Sequence, residues 1–104
     1  MEGYILLHRK MVDWEWYGNV NTCMVFLHCL FKANWKPCKW QGIEIKAGQF
    51  VTSLPNMAKE TGLSIQQVRT AINHLKSTGE ITDKAYTKFR LITVNNWCRY
   101  QLEL

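Results

Sequence analysis

The chain has 104 residues and a mass of 12.2 kDa, enough for one compact domain and too little for a second core of ordinary size, which excludes large multidomain enzymes. Hydrophobic residues make up 47% and charged residues 20%, with 2 Pro and 6 Gly, so there is apolar material to fold and no signature of disorder. An excess of basic residues leaves +5 at pH 7 and directs attention to a polyanionic partner.

Tyr4, Leu7 and Met11, with Ile5 and Val12, recur at three-, four- and seven-residue intervals and predict a short amphipathic helix over residues 4–12. Asp13-Trp14-Glu15-Trp16-Tyr17-Gly18 breaks that pattern. Asn21 is expected to cap a second helix running to about Ala33; Met24, Val25, Leu27, His28, Leu30 and Phe31 surround most of its circumference, as in a central pillar. Pro37 and Gly42 bound the next region, where Ile43–Ile45 and Gln49–Thr52 alternate around Ala47-Gly48 and predict a small hairpin.

Ser53 is placed to cap a helix whose first turn holds Leu54 and Pro55, where a proline sacrifices no backbone hydrogen bond, and Gly62 ends it. Ser64-Ile65-Gln66-Gln67 has the S-x-x-Q form of a capping box and starts another helix, with Ile65, Val68, Ile72 and Leu75 on one face and Gly79 as its stop. Helix, glycine turn and helix over about 53–78 have the spacing of a helix-turn-helix. Residues 80–85 and 88–94 are β-rich runs separated by Tyr86-Thr87, a hairpin that directly follows the second helix as a wing, over about 80–96. Trp97 to Tyr100 are expected to pack back on the body. The whole chain, 1–104, reads as one α+β winged helix-turn-helix with additional N-terminal helices and small hairpins.

At 100° per residue, the apolar face of the helix after Ser64 leaves Gln66, Thr70, Asn73 and Ser77 opposite, with Gln67, Arg69 and His74 on the shoulders. Gln and Asn pair with adenine, Arg pairs with guanine, and a side chain as small as Thr allows close approach to a groove floor. Ser64 and the amides after it add an anion-binding helix start. Residues 64–90 carry five cations and two acids. Gln66, Gln67, Arg69, Thr70 and Asn73 are therefore the expected base readers, and Lys76, Lys84, Lys88 and Arg90 the expected phosphate holders.

Other chemistries find little support. The longest apolar stretch, Cys23 to Phe31, falls short of the roughly 20 residues needed to span a bilayer, and Met1-Glu2-Gly3-Tyr4 is not the start of a secretory signal. A cytoplasmic location with no membrane partner is expected. Cys23, Cys29, Cys38 and Cys98 form no C-x-x-C pair or zinc-ligand spacing and read as reduced, mostly buried thiols. His8, His28 and His74 lack convergent acidic or thiol partners, and no phosphate loop, nucleophile elbow or carboxylate pair occurs. Neither enzymatic activity nor a cofactor or metal is expected. The five tryptophans read as packing residues rather than as stacking platforms for unpaired bases.

Several segments resemble a known family. Gly3-Tyr4-Ile5-Leu6-Leu7-His8-Arg9-Lys10 with Asp13-Trp14-Glu15-Trp16-Tyr17, then Val25-Phe26-Leu27-His28, Lys32-Ala33-Asn34, Gly48-Gln49 with Val51-Thr52-Ser53, Thr61-Gly62-Leu63-Ser64 with Gln67-Val68-Arg69-Thr70-Ala71, Ser77-Thr78-Gly79-Glu80-Ile81, and Asn96-Trp97 with Tyr100-Gln101 resemble the amino-terminal domain of phage replisome organisers, the DnaD-like replication initiation proteins of low-GC Gram-positive hosts. The resemblance covers nearly the whole chain. It implies binding of double-stranded origin DNA in a bacterial host cytoplasm, with Ser64 to Thr78 as the reading helix. Helicase-loading machinery is the further partner it implies for a longer chain with the family's carboxy-terminal domain. Two rivals keep the same fold: a phage or prophage transcriptional regulator, and a self-assembly module in which residues from Tyr4 to Trp16 mediate a homodimer or higher oligomer.

Overall fold

Three short polar side chains decide where the helices begin. In the computed structural model, which describes residues 3–100, Asn19 Oδ1 accepts from the Thr22 amide at 3.1 Å and opens α1 (Val20–Lys32). Ser53 Oγ accepts from the Asn56 amide at 3.2 Å and opens α2 (Leu54–Thr61), with Pro55 in its first turn. Ser64 opens α3 (Ile65–Ser77) through a reciprocal pair: Gln67 N–H donates to Ser64 Oγ at 3.0 Å, and Ser64 N–H donates to Gln67 Oε1 at 2.9 Å. The cap of α1 is thus Asn19 rather than Asn21, which lies inside the first turn.

The ends are equally local. Gly62, in the left-handed region, closes α2 and leads through Leu63 into the Ser64 cap. Beyond α3, the Gly79 amide donates to the Lys76 carbonyl and the Glu80 amide to the Leu75 carbonyl, the paired bonds of a Schellman ending. This delivers the chain directly into β4 (Ile81–Ala85), which returns as β5 (Arg90–Val94).

Two antiparallel sheets complete an α+β arrangement. β3 (Gln49–Thr52) pairs with β5, which pairs with β4, giving the order β3-β5-β4 with Phe50 opposite Ile92 and Asp83 opposite Ile92 on the other side. The hairpin expected between Ile43–Ile45 and Gln49–Thr52 does not form. Instead β1 (Cys38–Trp40) pairs with β2 (Ile43–Ile45) across a two-residue turn, and β3 leaves to join the larger sheet. Gln41 and Gly42 both have positive φ, 46° and 78°, as a type I′ turn demands, so the tight turn lies before Ile43 and not at Ala47-Gly48. The expected break at Tyr86-Thr87 is also longer: residues 86–89 form the loop, closed by a 2.8 Å bond from the Tyr86 amide to the Phe89 carbonyl, and Lys88 sits in it rather than in a strand.

The core lies where α1, α2 and α3 meet the three-stranded sheet. Val25, Cys29 and Leu30 of α1, Met57 of α2, Val68 and Leu75 of α3 and Ile92 of β5 all have 0% exposure. Residue Ala71 completes the buried face of α3, whereas Ile65, one of the four expected there, is 43% exposed at the first turn. At the outer end of α1, the Glu60 carboxylate lies 3.3 Å from both Lys32 Nζ and His28 Nε2. Slight burial pushes this carboxyl up, but hydrogen bonds and charge from Lys32 and His28 outweigh it and hold it below its usual value. A group depressed on folding stabilises the fold above its unfolded pKa and loses that contribution as pH falls through its folded value.

The helix expected over 4–12 is the largest departure. Residues 4–8 are extended, with the Leu6 amide donating to the Tyr100 carbonyl at 2.8 Å, and only a 3₁₀ turn over Arg9–Asp13 follows, capped by His8 Nδ1 accepting from the Lys10 amide. A helix of nine residues has too few internal bonds to persist alone, and pairing with residue 100 holds the segment extended. Ile5, Met11, Trp14 and Trp16 pack on the core edge from this arm, and Trp97 and Tyr100 pack there from the other terminus. Residue Gln101 of the family-like motif lies outside the described residues.

The thiols are not mostly buried. Cys29 is, but Cys23 is half-buried and Cys38 and Cys98 are exposed, because the first of these two begins the short strand β1 at an open groove and the second lies in a surface 3₁₀ turn. Burial, reinforced by the nearby Asp83 charge, pushes the Cys29 thiol up to about 12. Titration of the folded protein with a thiol reagent at mild alkaline pH is expected to modify Cys38 and Cys98 first, Cys23 more slowly, and Cys29 only on unfolding. Rapid modification of Cys29 would contradict that order.

Candidate nucleic-acid interface

The outward face of α3 is built from the residues that its inward face leaves over. With Val68, Ala71, Ile72 and Leu75 buried, Gln66, Arg69, Thr70, Asn73, Lys76 and Ser77 are all exposed. Gln66 links two of them: its Oε1 accepts from Arg69 Nη1 at 3.1 Å, and its Nε2 donates to Thr70 Oγ1 at 3.4 Å. These are surface bonds that water or another polar edge replaces at little cost. Asn73 and Lys76 extend the same strip.

Gln67 is exposed too, but its Oε1 is committed to the Ser64 amide and Ser64 Oγ to the Gln67 amide. Their side chains define the start of the helix, leaving the Gln67 NH2 and the Ser64 O–H as donors for an outside acceptor, so Gln67 is a weaker reader than its position suggested. Beside them the start of α1 forms a rim. Asn19, Asn21 and Thr22 face Gln66, Thr70 and His74 across a cleft of about 200 Å³. The sequence marks Asn21 only as a cap and gives Asn19 no role; nothing in their spacing tells which helix they will face.

His74, a shoulder residue, is fixed from two sides. Its Nδ1 and Thr22 Oγ1 share a 2.9 Å hydrogen bond, and its ring stacks on Trp16 with centroids 4.4 Å apart and planes 8° from parallel. Trp16 Nε1 donates to Thr78 Oγ1, and Trp14 Nε1 to Glu80 Oε1, both at 2.9 Å. These bonds hold the end of α3 and the start of β4.

Of the expected phosphate holders, Lys76, Lys84 and Lys88 are exposed, with Lys84 Nζ 5.2 Å from the centre of the Tyr86 ring. Arg90 is not available. Its guanidinium is ion-paired with the Asp83 carboxylate, whose side chain is only 3% exposed, and it is itself 27% exposed. The two lie on neighbouring strands, and a buried carboxylate holds the nearest cation that reaches it. Lys88 is separated from the α3 cleft: it lines a different groove, with Lys32, Lys39 and Trp40.

Among the described residues, no group of three or more His, Cys, Asp or Glu is placed to hold a metal ion, and no helix is long and apolar enough to cross a membrane. Neither a family model, nor a curated protein, nor a solved structure matches the chain. What can be said of its class is therefore an α+β fold that presents one polar, uncharged-to-basic helix face.

Proposed function

We propose that this chain is a winged helix-turn-helix that binds double-stranded DNA sequence-specifically, with α3 in the major groove and β4–β5 as the wing. The observation that carries the reading is the exposed strip Gln66, Arg69, Thr70 and Asn73 on a helix whose opposite face is core. The resemblance of its segments to phage replisome organisers favours a replication origin as the site, in the cytoplasm of a bacterial host. A phage regulator would use the same surface, and the genomic setting of the bound sequence separates the two. No chemistry is assigned to the chain.

Arg69 and Asn73 are the readers in this scheme, and Lys76, Lys84 and Lys88 the phosphate contacts, with Arg90 withdrawn. Three neutralised phosphates give a logarithmic salt slope of about −2.7. Selection of duplexes from a random pool should enrich one motif; Arg69→Ala should then cost about 1–3 kcal/mol on that motif and relax one position, whereas Lys84→Ala should weaken all duplexes alike. A pool that yields no motif, or equal sequence-independent losses for both variants, rejects specific reading.

Self-association is a second component with its own support. Tyr4 is 70% and Val12 58% exposed, with Leu6 and Leu7 between them also exposed, so the amino-terminal arm carries apolar surface outward. A dimer formed there would present two reading helices to two half-sites. Light scattering is expected to show a mass above that of the monomer, reduced by Leu7→Asp with Val12→Asp.

A further inference from the structure

The duplex reading uses only Lys88 of one further surface. A groove of about 480 Å³ runs between the β1–β2 hairpin, the entry to α2 and the 86–89 loop. Its volume falls in the roughly 300–1,000 Å³ range of pockets that enclose small organic ligands, the scale of a nucleotide or two and too narrow for a duplex.

The lining has a consistent chemistry. Lys32 from the end of α1, Lys39 from β1 and Lys88 from the 86–89 loop line it, and no carboxylate does. Lys32 is held by Glu60, and Glu44 lies opposite Lys39 in the strand register, but neither Lys39 nor Lys88 has an acidic side chain within ion-pair distance among the described residues. Two half-buried rings form the aromatic part: Trp40 meets Phe89 edge to face, with centroids 4.9 Å apart, and Phe89 in turn stacks on Tyr86 at 4.5 Å. Between the lining residues Asn34 and Cys38 in the chain, Trp35 is exposed with Lys36 Nζ 4.7 Å from its ring centre. The rings hold one another edge-on and stacked, and Trp40 and Phe89 both line the groove. Cations from two walls flanking an aromatic cluster suit an unpaired base with its phosphates; a lipid surface would need an apolar protrusion, and an acidic peptide would make no use of the ring faces.

We propose that this groove binds single-stranded nucleic acid, with an unpaired base stacked on the Trp40–Phe89 cluster and the flanking phosphates held by Lys39 and Lys88. The site is separate from the α3 cleft and shares only Lys88 with the proposed duplex contacts. Two cations on a single strand give a logarithmic salt slope near −1.4, so affinity should fall on the order of sevenfold from about 50 to about 200 mM salt.

The test titrates the whole chain with oligo(dT) of about 15 nucleotides, following tryptophan fluorescence and the anisotropy of a labelled strand. Quenching with saturable binding is expected. Lys39→Glu, at an exposed strand position and with circular dichroism verifying that the hairpin stays folded despite Glu44 opposite, should weaken the single strand about tenfold or more, Lys39→Arg should restore it, and Asn73→Ala should leave it within about twofold. A strand of the same length lacking bases should bind several-fold less tightly. No binding of oligo(dT), binding that Lys39→Glu does not alter, an abasic strand bound equally well, or polyglutamate bound as tightly would each overturn the proposal.

Discussion

Arg90→Ala is expected to lower the free energy of unfolding by about 3 kcal/mol, measured by urea denaturation, while leaving duplex affinity of the remaining folded protein nearly unchanged. The cause is not the arginine but what it leaves behind. Asp83 has 3% side-chain exposure, and its Oδ1 is already without a partner among the described residues, so removing the guanidinium strands a charge in the sheet interior. Breaking a buried pair from one side costs about 3–5 kcal/mol, and the partial exposure of Arg90 puts this case at the low end. Replacing both partners, Asp83→Leu with Arg90→Met, should recover most of the loss, because apolar residues of similar size remove both the pair and its desolvation cost. Lys88→Ala, at an exposed loop position, should stay within about 0.5 kcal/mol of the parent. An Arg90→Ala variant as stable as Lys88→Ala would show that the pair is solvated and would return Arg90 to the set of phosphate contacts.

Gly48→Ala should be as damaging. At this position φ is +85°, a region where a side chain costs about 1–2 kcal/mol, and a Cβ would lie 2.9 Å from Trp97 Cβ, which cannot swing away because it is fixed to the backbone. Overpacking of this kind adds about 1–3 kcal/mol, for a total on the order of 3 kcal/mol. The same residue also ties three segments, its amide donating to the Asn34 carbonyl at 2.7 Å and its carbonyl accepting from the Val94 amide at 2.8 Å. Gly42→Ala is the control: φ is +78° there, but nothing lies within 4 Å, so only the conformational part is lost. Equal thermal shifts for the two variants would mean that the Trp97 contact gives way freely.

The sequence was most readable where structure is decided by neighbours in the chain. Ser53, Pro55, Gly62, Ser64, Gln67 and Gly79 act within four or five residues of where they stand, and α2 and α3 begin and end as those residues require. Periodicity likewise placed the outer strip of α3, since the helix period alone separates Gln66, Thr70 and Asn73 from Val68 and Leu75.

Long-range choices were not readable. Whether β2 pairs with what precedes or follows it depends on which turn is tighter, and Gln41-Gly42 carried a weaker signature than Ala47-Gly48 because a positive φ at Gln41 is unusual. The extended course of residues 4–8 follows from a bond to Tyr100, almost a hundred residues away, which no local pattern encodes. Arg90 was assigned by charge, and only the fold reveals that Asp83 turns inward beside it. The groove at Trp40 was invisible for the same reason: its walls come from three separate stretches of chain.

The two indole bonds near residues 78–80 give the amino-terminal arm a mechanical office. Trp14 and Trp16 form a clasp across the junction through which α3 hands the chain to β4, and Trp16 also braces the back of α3 through His74. Removing residues up to 13 should therefore cost the edge contacts of Ile5 and Met11 and the apolar surface for self-association but leave this junction in place, whereas cutting past Trp16 should loosen the angle between helix and hairpin.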